Sequence, residues 1–207
     1  MTTLYLARHG QAEWNAKGLI MGQLDSPLTP TGVQQVAKLA DYLQSTKFDA
    51  VYSSPLGRAV ATAKQLQTKL HVPELHTMAE LAERNYGEFQ GKSGDTYVEA
   101  KKAWEPIRAK LPPVEQPRAQ LRADVESDAA LFNRIMQALR IITERHPDQT
   151  VLVVSHEGAL STFLKYTTHS LPVPGSLTNS GYIVVQADHG TFTIQTVEGT
   201  TDDELPQ

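Results

Sequence analysis

Apolar and polar positions alternate with several distinct periods along the chain, and each period predicts an element. Residues 3–8 contain the unbroken apolar run Leu4-Tyr5-Leu6-Ala7, which predicts a buried strand. In "LTPTGVQQVAKLADYLQS", Val33, Val36, Ala37, Ala40 and Leu43 recur at helical spacing. Thr29 is placed to cap that helix, and Pro30 suits its first turn. "FDAVYSS" predicts a second strand, and Ser54-Pro55 then open a helix running to about Leu70. "PELHTMAEL" predicts a third strand. Further on, Leu131, Ile135, Leu139 and Ile142 share one helical face, and "TVLVVS" is the clearest buried strand. "EGALSTFLKY" continues as a helix, and "YIVVQ" and "FTIQTV", joined by "ADHG", predict a terminal hairpin.

Residues 84–126 break the rhythm, with several prolines, mixed charge and only a weak helical segment around 96–110. They predict a partly helical insertion within a single domain spanning 1–207, followed by a loose acidic tail from about 199. Strands alternating with helices predict an α/β fold: a three-layer α/β/α arrangement around a mostly parallel central sheet.

In such sheets ligands bind beyond the carboxyl ends of the strands. The first strand delivers Arg8 and His9 there, the second Ser54 and, one helical turn on, Arg58. The third delivers Glu83 and the fourth His156.

Composition narrows the chemistry. The formal net charge of −4 lacks the basic surplus of a nucleic-acid binder. The 40% of hydrophobic residues is enough for a core, and no run is long enough to span a membrane. With no signal-like segment at the start, the expectation is a cytoplasmic protein, monomer or homodimer. Cysteine is absent, which excludes disulfides, cysteine zinc sites and a thiolate nucleophile. "GEFQGKS" is one residue short of the P-loop spacing and follows "ERNY" rather than a buried strand, so nucleotide hydrolysis by a P-loop is set aside.

Two arginines suit the oxygens of a phosphate, and the helix N-termini after Ser54 and His156 would add backbone donors. A neutral histidine nitrogen is a competent nucleophile toward phosphorus, and a second, cationic histidine would stabilise the charge in transfer. A carboxyl group beside that anion would be held protonated by like charge and burial, ready to protonate a leaving oxygen; Glu83 fits that part.

At this point the sequence resembles the histidine phosphatase superfamily, the phosphoglycerate mutase-like family. "RHG", "SSPLGRAVATA", "LAERNYGEFQG" and "VVSH" occur in the family's order across residues 4–160, and "DSPLTPTG" matches its usual helix entry. The resemblance implies a phosphoglycerate mutase-like fold. It implies that His9 carries the phosphoryl group, that Arg8, Arg58, His156 and Asn15 hold the phosphate, and that Glu83 acts as acid and then as the base activating water. No metal is implied. Three departures bear on the substrate: Glu157 stands where glycine is common, Met21 (before the usual Gly22) where a polar residue is common, and Ala12 where a hydroxyl is common.

The expected activity is therefore a metal-independent phosphomonoester phosphatase working through phosphohistidine on a small phosphorylated metabolite. The alternative is a cofactor-dependent phosphoglycerate mutase, for which a bisphosphate primer would be the only cofactor. A third reading is a catalytically silent phospho-ligand binder. The short insertion favours the phosphatase: its Lys92, Lys101, Lys102, Arg108, Lys110, Arg118 and Arg122 are matched by acids, with no adjacent arginine pair. The remaining histidines (71, 76, 146, 169 and 189) read as surface residues.

Overall fold

A computed structural model describes residues 1–167 and 176–200. The chain forms β1 (Thr2–Arg8), α1 (Glu13–Ala16), α2 (Pro30–Leu43), β2 (Ala50–Ser53), α3 (Gly57–Lys69) and β3 (Leu75–Thr77). It continues with α4 (Gly94–Arg108), α5 (Asp128–Arg145), β4 (Thr150–Ser155), α6 (Glu157–Thr167), β5 (Leu177–Asp188) and β6 (Thr191–Thr200). The six strands make one sheet in the order β3-β2-β4-β1-β5-β6. The β3-β2, β2-β4 and β4-β1 pairs are parallel, and β5 and β6 join antiparallel on the far side of β1.

The unbroken apolar runs of β1 and β4 follow from this placement, because a strand covered on both faces has no polar side. Leu4, Leu6, Val151 and Val153 pack with Leu131, Ile135, Leu139 and Phe163 of α5 and α6. Ala7, Leu152 and Val154 face Val36, Ala40, Ala59, Ala63 and Leu66 of α2 and α3. The parallel strands therefore end together, and the segments that follow them converge.

Several elements depart from the sequence expectation. On α2 the buried face is Gly32, Val36, Leu39, Ala40 and Leu43, while Val33 is exposed, about 100° round the helix from Gly32. Gly32 sits against the backbone of Gln11 with no room for a Cβ, and that contact sets which face turns inward. Helix α3 begins at Gly57 rather than at Ser54, because the Ser54 hydroxyl is hydrogen-bonded to His156 and is not a cap. The third strand shrinks to Leu75–Thr77, and a 3-10 turn at Ala79–Leu81 then takes Leu81 into the core. β6 runs to Thr200, and residues 201–207, on which the expected acidic tail falls, lie outside the described residues, as does His169. His146 is no bland surface residue: its Nε2 meets the Tyr52 hydroxyl at 3.0 Å and its Nδ1 meets Gln149 at 2.7 Å. The segment 84–126 contributes 3-10 turns at Gly87–Phe89 and Gln116–Arg118 and helix α4, and no strand.

Candidate active site

The chain leaves β1 with Arg8 and His9, and the structure brings both beside Arg58, Asn15, Met21, Gly22, Glu83 and Glu157 around one cavity of about 320 Å³. His156 stands directly behind, fully buried, its ring centroid 5.1 Å from that of His9. All nine residues singled out in the sequence therefore meet in one place.

His9 is buried, and its Nδ1 lies 2.7 Å from the Gly10 carbonyl. A carbonyl only accepts, so Nδ1 carries the proton and Nε2 keeps its lone pair. Arg58 donates its Nε–H to that lone pair at 3.2 Å. Burial first, then the charges of Arg58 and Arg8, push the His9 pKa well below the usual imidazole value, so the ring is neutral. The backbone around it is fixed in turn: Asn179 Nδ2 donates to the His9 carbonyl at 3.1 Å, and the Gly10 N–H donates to Thr62 Oγ1.

Arg58 is almost wholly buried and largely occupied. Its guanidinium also donates to the carbonyls of Leu24 and Gly22, each at 2.7 Å, and to the Asp25 carboxylate at 3.0 Å. It ties the loop 22–25 to the nucleophile. Gly22 is needed there: its φ of +54° favours glycine, and a Cβ would run into the Gln90 amide. Arg8 Nη1 donates to the Leu177 carbonyl, while its buried Nε makes no hydrogen bond.

The two helix N-termini expected to face phosphate are each taken by a carboxylate of the chain itself. The Arg58 N–H on α3 donates to Asp25, and the Gly158 N–H on α6 donates to Glu83 Oε2 at 3.1 Å. The expectation of a cationic His156 also changes. Burial and then the charges of Arg58 and Arg8 hold its pKa well below the usual value. The ring is therefore neutral, with Nε2 2.7 Å from Ser54 Oγ and Nδ1 without a hydrogen bond among the described residues. A phosphate dianion is the charge that would favour its protonation.

Glu83 is buried, with Oε1 accepting from the Arg84 N–H at 2.7 Å. Burial and then the nearby Glu157 raise its pKa, against the pull of its two backbone donors. Asn15 accepts from the Ala12 N–H through Oδ1 at 3.0 Å, which leaves its Nδ2 as a donor on the cavity wall. Met21 forms apolar wall, and its Sδ accepts from Ser26.

Sequence reasoning missed the supporting residues. Arg134 on α5 donates to the carbonyls of Glu80, Ala82 and Glu83 and pairs with both oxygens of Glu126. It holds the turn that aims Glu83. Arg84 joins Glu126, Asp128 and Thr162. Tyr86 and Tyr97 line the cavity, and burial pushes the Tyr86 phenol well up, so it stays protonated. An arginine on a polar helix face carries no local signal of such a role; only the motif "ERNY" placed Tyr86 near the acid.

A parallel α/β sheet that gathers two arginines, two neutral histidines and a carboxyl group with a raised pKa defines an enzyme that handles phosphate esters. The family profile described as histidine phosphatase superfamily (branch 1) matches residues 4–200, and the chain belongs to that superfamily. It is similar to a metal-independent phosphoserine phosphatase of Arabidopsis thaliana, 34% identical over 191 residues, covering 89% of this chain and 76% of that protein. A 2,3-bisphosphoglycerate-dependent phosphoglycerate mutase of Rhizobium etli is 42% identical over 99 residues, 45% of this chain and 46% of that one. Among solved structures, Bacillus stearothermophilus YhfR superposes with a TM-score of 0.79 at 29% identity, covering 97% of this chain and 98% of that one. The superfamily to which the chain belongs thus includes proteins named as phosphatases and as phosphoglycerate mutases. Among the described residues no helix is long and apolar enough to cross a membrane.

Proposed function

We propose that this protein hydrolyses phosphomonoesters in two steps through a phosphorylated His9. The observation that carries this reading is the Nδ1–Gly10 hydrogen bond, which leaves the Nε2 lone pair of a neutral ring in the cavity with Glu83. In the first step Nε2 attacks phosphorus, the ester oxygen leaves, and Glu83 gives that oxygen its proton. Arg8, Asn15 Nδ2 and the N–H of Arg58 left over from the loop bind the phosphate oxygens. His156 takes up a proton beside the bound dianion and stabilises the charge in flight. In the second step ionised Glu83 takes a proton from water as that water attacks the phosphohistidine, releasing phosphate and restoring His9.

Hydrolysis is favoured over mutase transfer because the insertion offers no paired arginines for a second phosphate. Two of the cations along its groove already have partners, Arg108 with Glu105 and Lys165 with Asp128. The reading needs no cofactor, places the protein in the cytoplasm as a monomer or homodimer, and takes a small phosphorylated substrate as its one partner. O-phosphoserine, named for the Arabidopsis relative, is the first substrate to try.

The test is phosphate release with chelator present from aryl phosphates, O-phosphoserine, 3-phosphoglycerate and sugar phosphates, with 2-phosphoglycerate formation followed in parallel. Phosphate release without isomer formation is expected. Isomer formation stimulated by a bisphosphate primer would assign the mutase reaction instead.

A further inference from the structure

Beside the catalytic cavity lies a second and larger one of about 790 Å³, between the 84–126 segment and helices α5 and α6. The two share the residues Tyr86, Tyr97, Val98 and Glu157, so a leaving group passing from the first to the second crosses Glu157. Glu157 is the first residue of α6, adjacent in sequence to His156. Its carboxylate accepts two hydrogen bonds, from Ser161 Oγ at 2.7 Å and Ser176 Oγ at 2.8 Å, both on Oε1. Among the described residues no lysine or arginine pairs with it. The other acids of the larger cavity do have such partners: Asp128 with Arg84 and Lys165, Glu105 with Arg108, Glu126 with Arg134.

An anionic carboxylate beside an anion pocket works against the substrate it borders. It also opposes the phosphate-binding charge of Arg8. That arrangement becomes favourable when the substrate itself brings a cation to the same spot. A charge-assisted hydrogen bond from an ammonium group to Oε2, which accepts no hydrogen bond among the described residues, would turn repulsion into recognition.

We propose that Glu157 is the specificity residue for an ammonium group on the leaving alcohol, so that the preferred substrates are aminated phosphomonoesters. This rests on the phosphatase reading above. The phosphate occupies the first cavity, the ester oxygen faces Glu83, and the ammonium group, a few bonds further out, meets Glu157 on the shared wall. Lys101 and Lys102, further along α4 than Val98, line the larger cavity, make no ion pair among the described residues, and are available to a carboxylate on the same leaving group.

Two substrate pairs isolate the ammonium group. Ethanolamine phosphate and 2-hydroxyethyl phosphate differ only in NH3⁺ against OH, as do O-phosphoserine and 3-phosphoglycerate. In the wild type kcat/KM favours the amine in both pairs by about tenfold or more, the discrimination expected when a site is built around one polar group. Glu157→Gln, which keeps the shape and removes the charge, brings both ratios toward one. Glu157→Asp, which keeps the charge, retains more of the preference. Ratios near one in the wild type, or ratios unchanged in Glu157→Gln, overturn the proposal. An equal fall for all four substrates also overturns it, and makes Glu157 a group that acts on Glu83 instead.

Calorimetric binding of the same four ligands to His9→Ala separates the two readings. Tighter amine binding that depends on Glu157, alongside a wild type that hydrolyses none of the four, keeps the proposal and removes the phosphatase reading. Hydrolysis without amine preference does the reverse.

Discussion

The Nε–H of Arg58 points at Nε2 of His9 from 3.2 Å, while the rest of the same guanidinium grips the loop 22–25. One side chain thus aligns the nucleophile and shapes the wall facing it. The Nε–H has to release the lone pair as phosphorus approaches, and the incoming phosphate offers it an oxygen instead.

Arg58→Lys tests that dual role. Lysine keeps the charge but lacks the planar fork that reaches three carbonyl and carboxylate oxygens and the imidazole together. The expected result is a fall in kcat of about a hundredfold, the scale of a nucleophile misplaced by about 1 Å. A steady-state comparison checks it; a change confined to KM would leave Arg58 a phosphate ligand only.

His9→Ala removes the attacking nitrogen. Phosphate release is expected to vanish while phosphate still raises the melting temperature, because Arg8, Asn15 and His156 remain. Undiminished turnover would place the nucleophile elsewhere.

Glu83→Gln separates acid from base. Good aryl leaving groups need little protonation, so their first step survives, whereas alkyl phosphates lose most activity, within the roughly 10²–10⁴-fold span of general acid catalysis. Because burial and Glu157 raise the Glu83 pKa, wild-type turnover of alkyl phosphates is expected to fall as pH rises and deprotonates the acid. Equal loss across leaving groups would remove Glu83 from the acid role.

Arg134→Met tests the support beneath Glu83. The substitution removes the arginine donor from three carbonyls and from the Glu126 carboxylate, leaving Gln23 on the Glu83 carbonyl and the Asn85 N–H on Glu126. Breaking a partly buried, hydrogen-bonded ion pair is expected to cost about 3 kcal/mol, read as a lower melting temperature. Because Arg134 positions the acid without touching substrate, alkyl phosphates suffer more than aryl phosphates. A stability loss with no shift in that ratio would make the role purely structural.

The two buried histidines set a pH dependence of stability. Their folded pKa values lie below the ordinary imidazole value, so between the folded and unfolded pKa values the unfolded chain binds more protons than the folded one. Stability is therefore full above about pH 6.5 and falls as pH drops below it, by about 1.4 kcal/mol per pH unit for each ring. Phosphate, by favouring protonated His156, is expected to flatten that fall. Melting curves from pH 8 to 5, with and without phosphate, check both effects.

The sequence by itself determined the sheet and the residues at its business end. Apolar runs at 3–8 and 150–155 predicted strands buried on both faces. Chain direction then put Arg8, His9, Ser54 and His156 at or just beyond carboxyl ends. These are local facts, carried by period and by order. Only the tertiary structure decided what each group meets. Val33 lost its place on the buried face to Leu39 because Gln11, from another segment, fixes the rotation of α2. The helix N-termini expected to bind phosphate were claimed by Asp25 and Glu83, which approach from distant loops. Asn179 reaches His9 across 170 positions, and Arg134 reaches Glu83 across 51. Periodicity states which side of an element faces inward, but it does not state which element lies opposite. Hydrogen-bond partners between elements and the position of Glu157 between two cavities depend on that opposite element, so folding alone settles them.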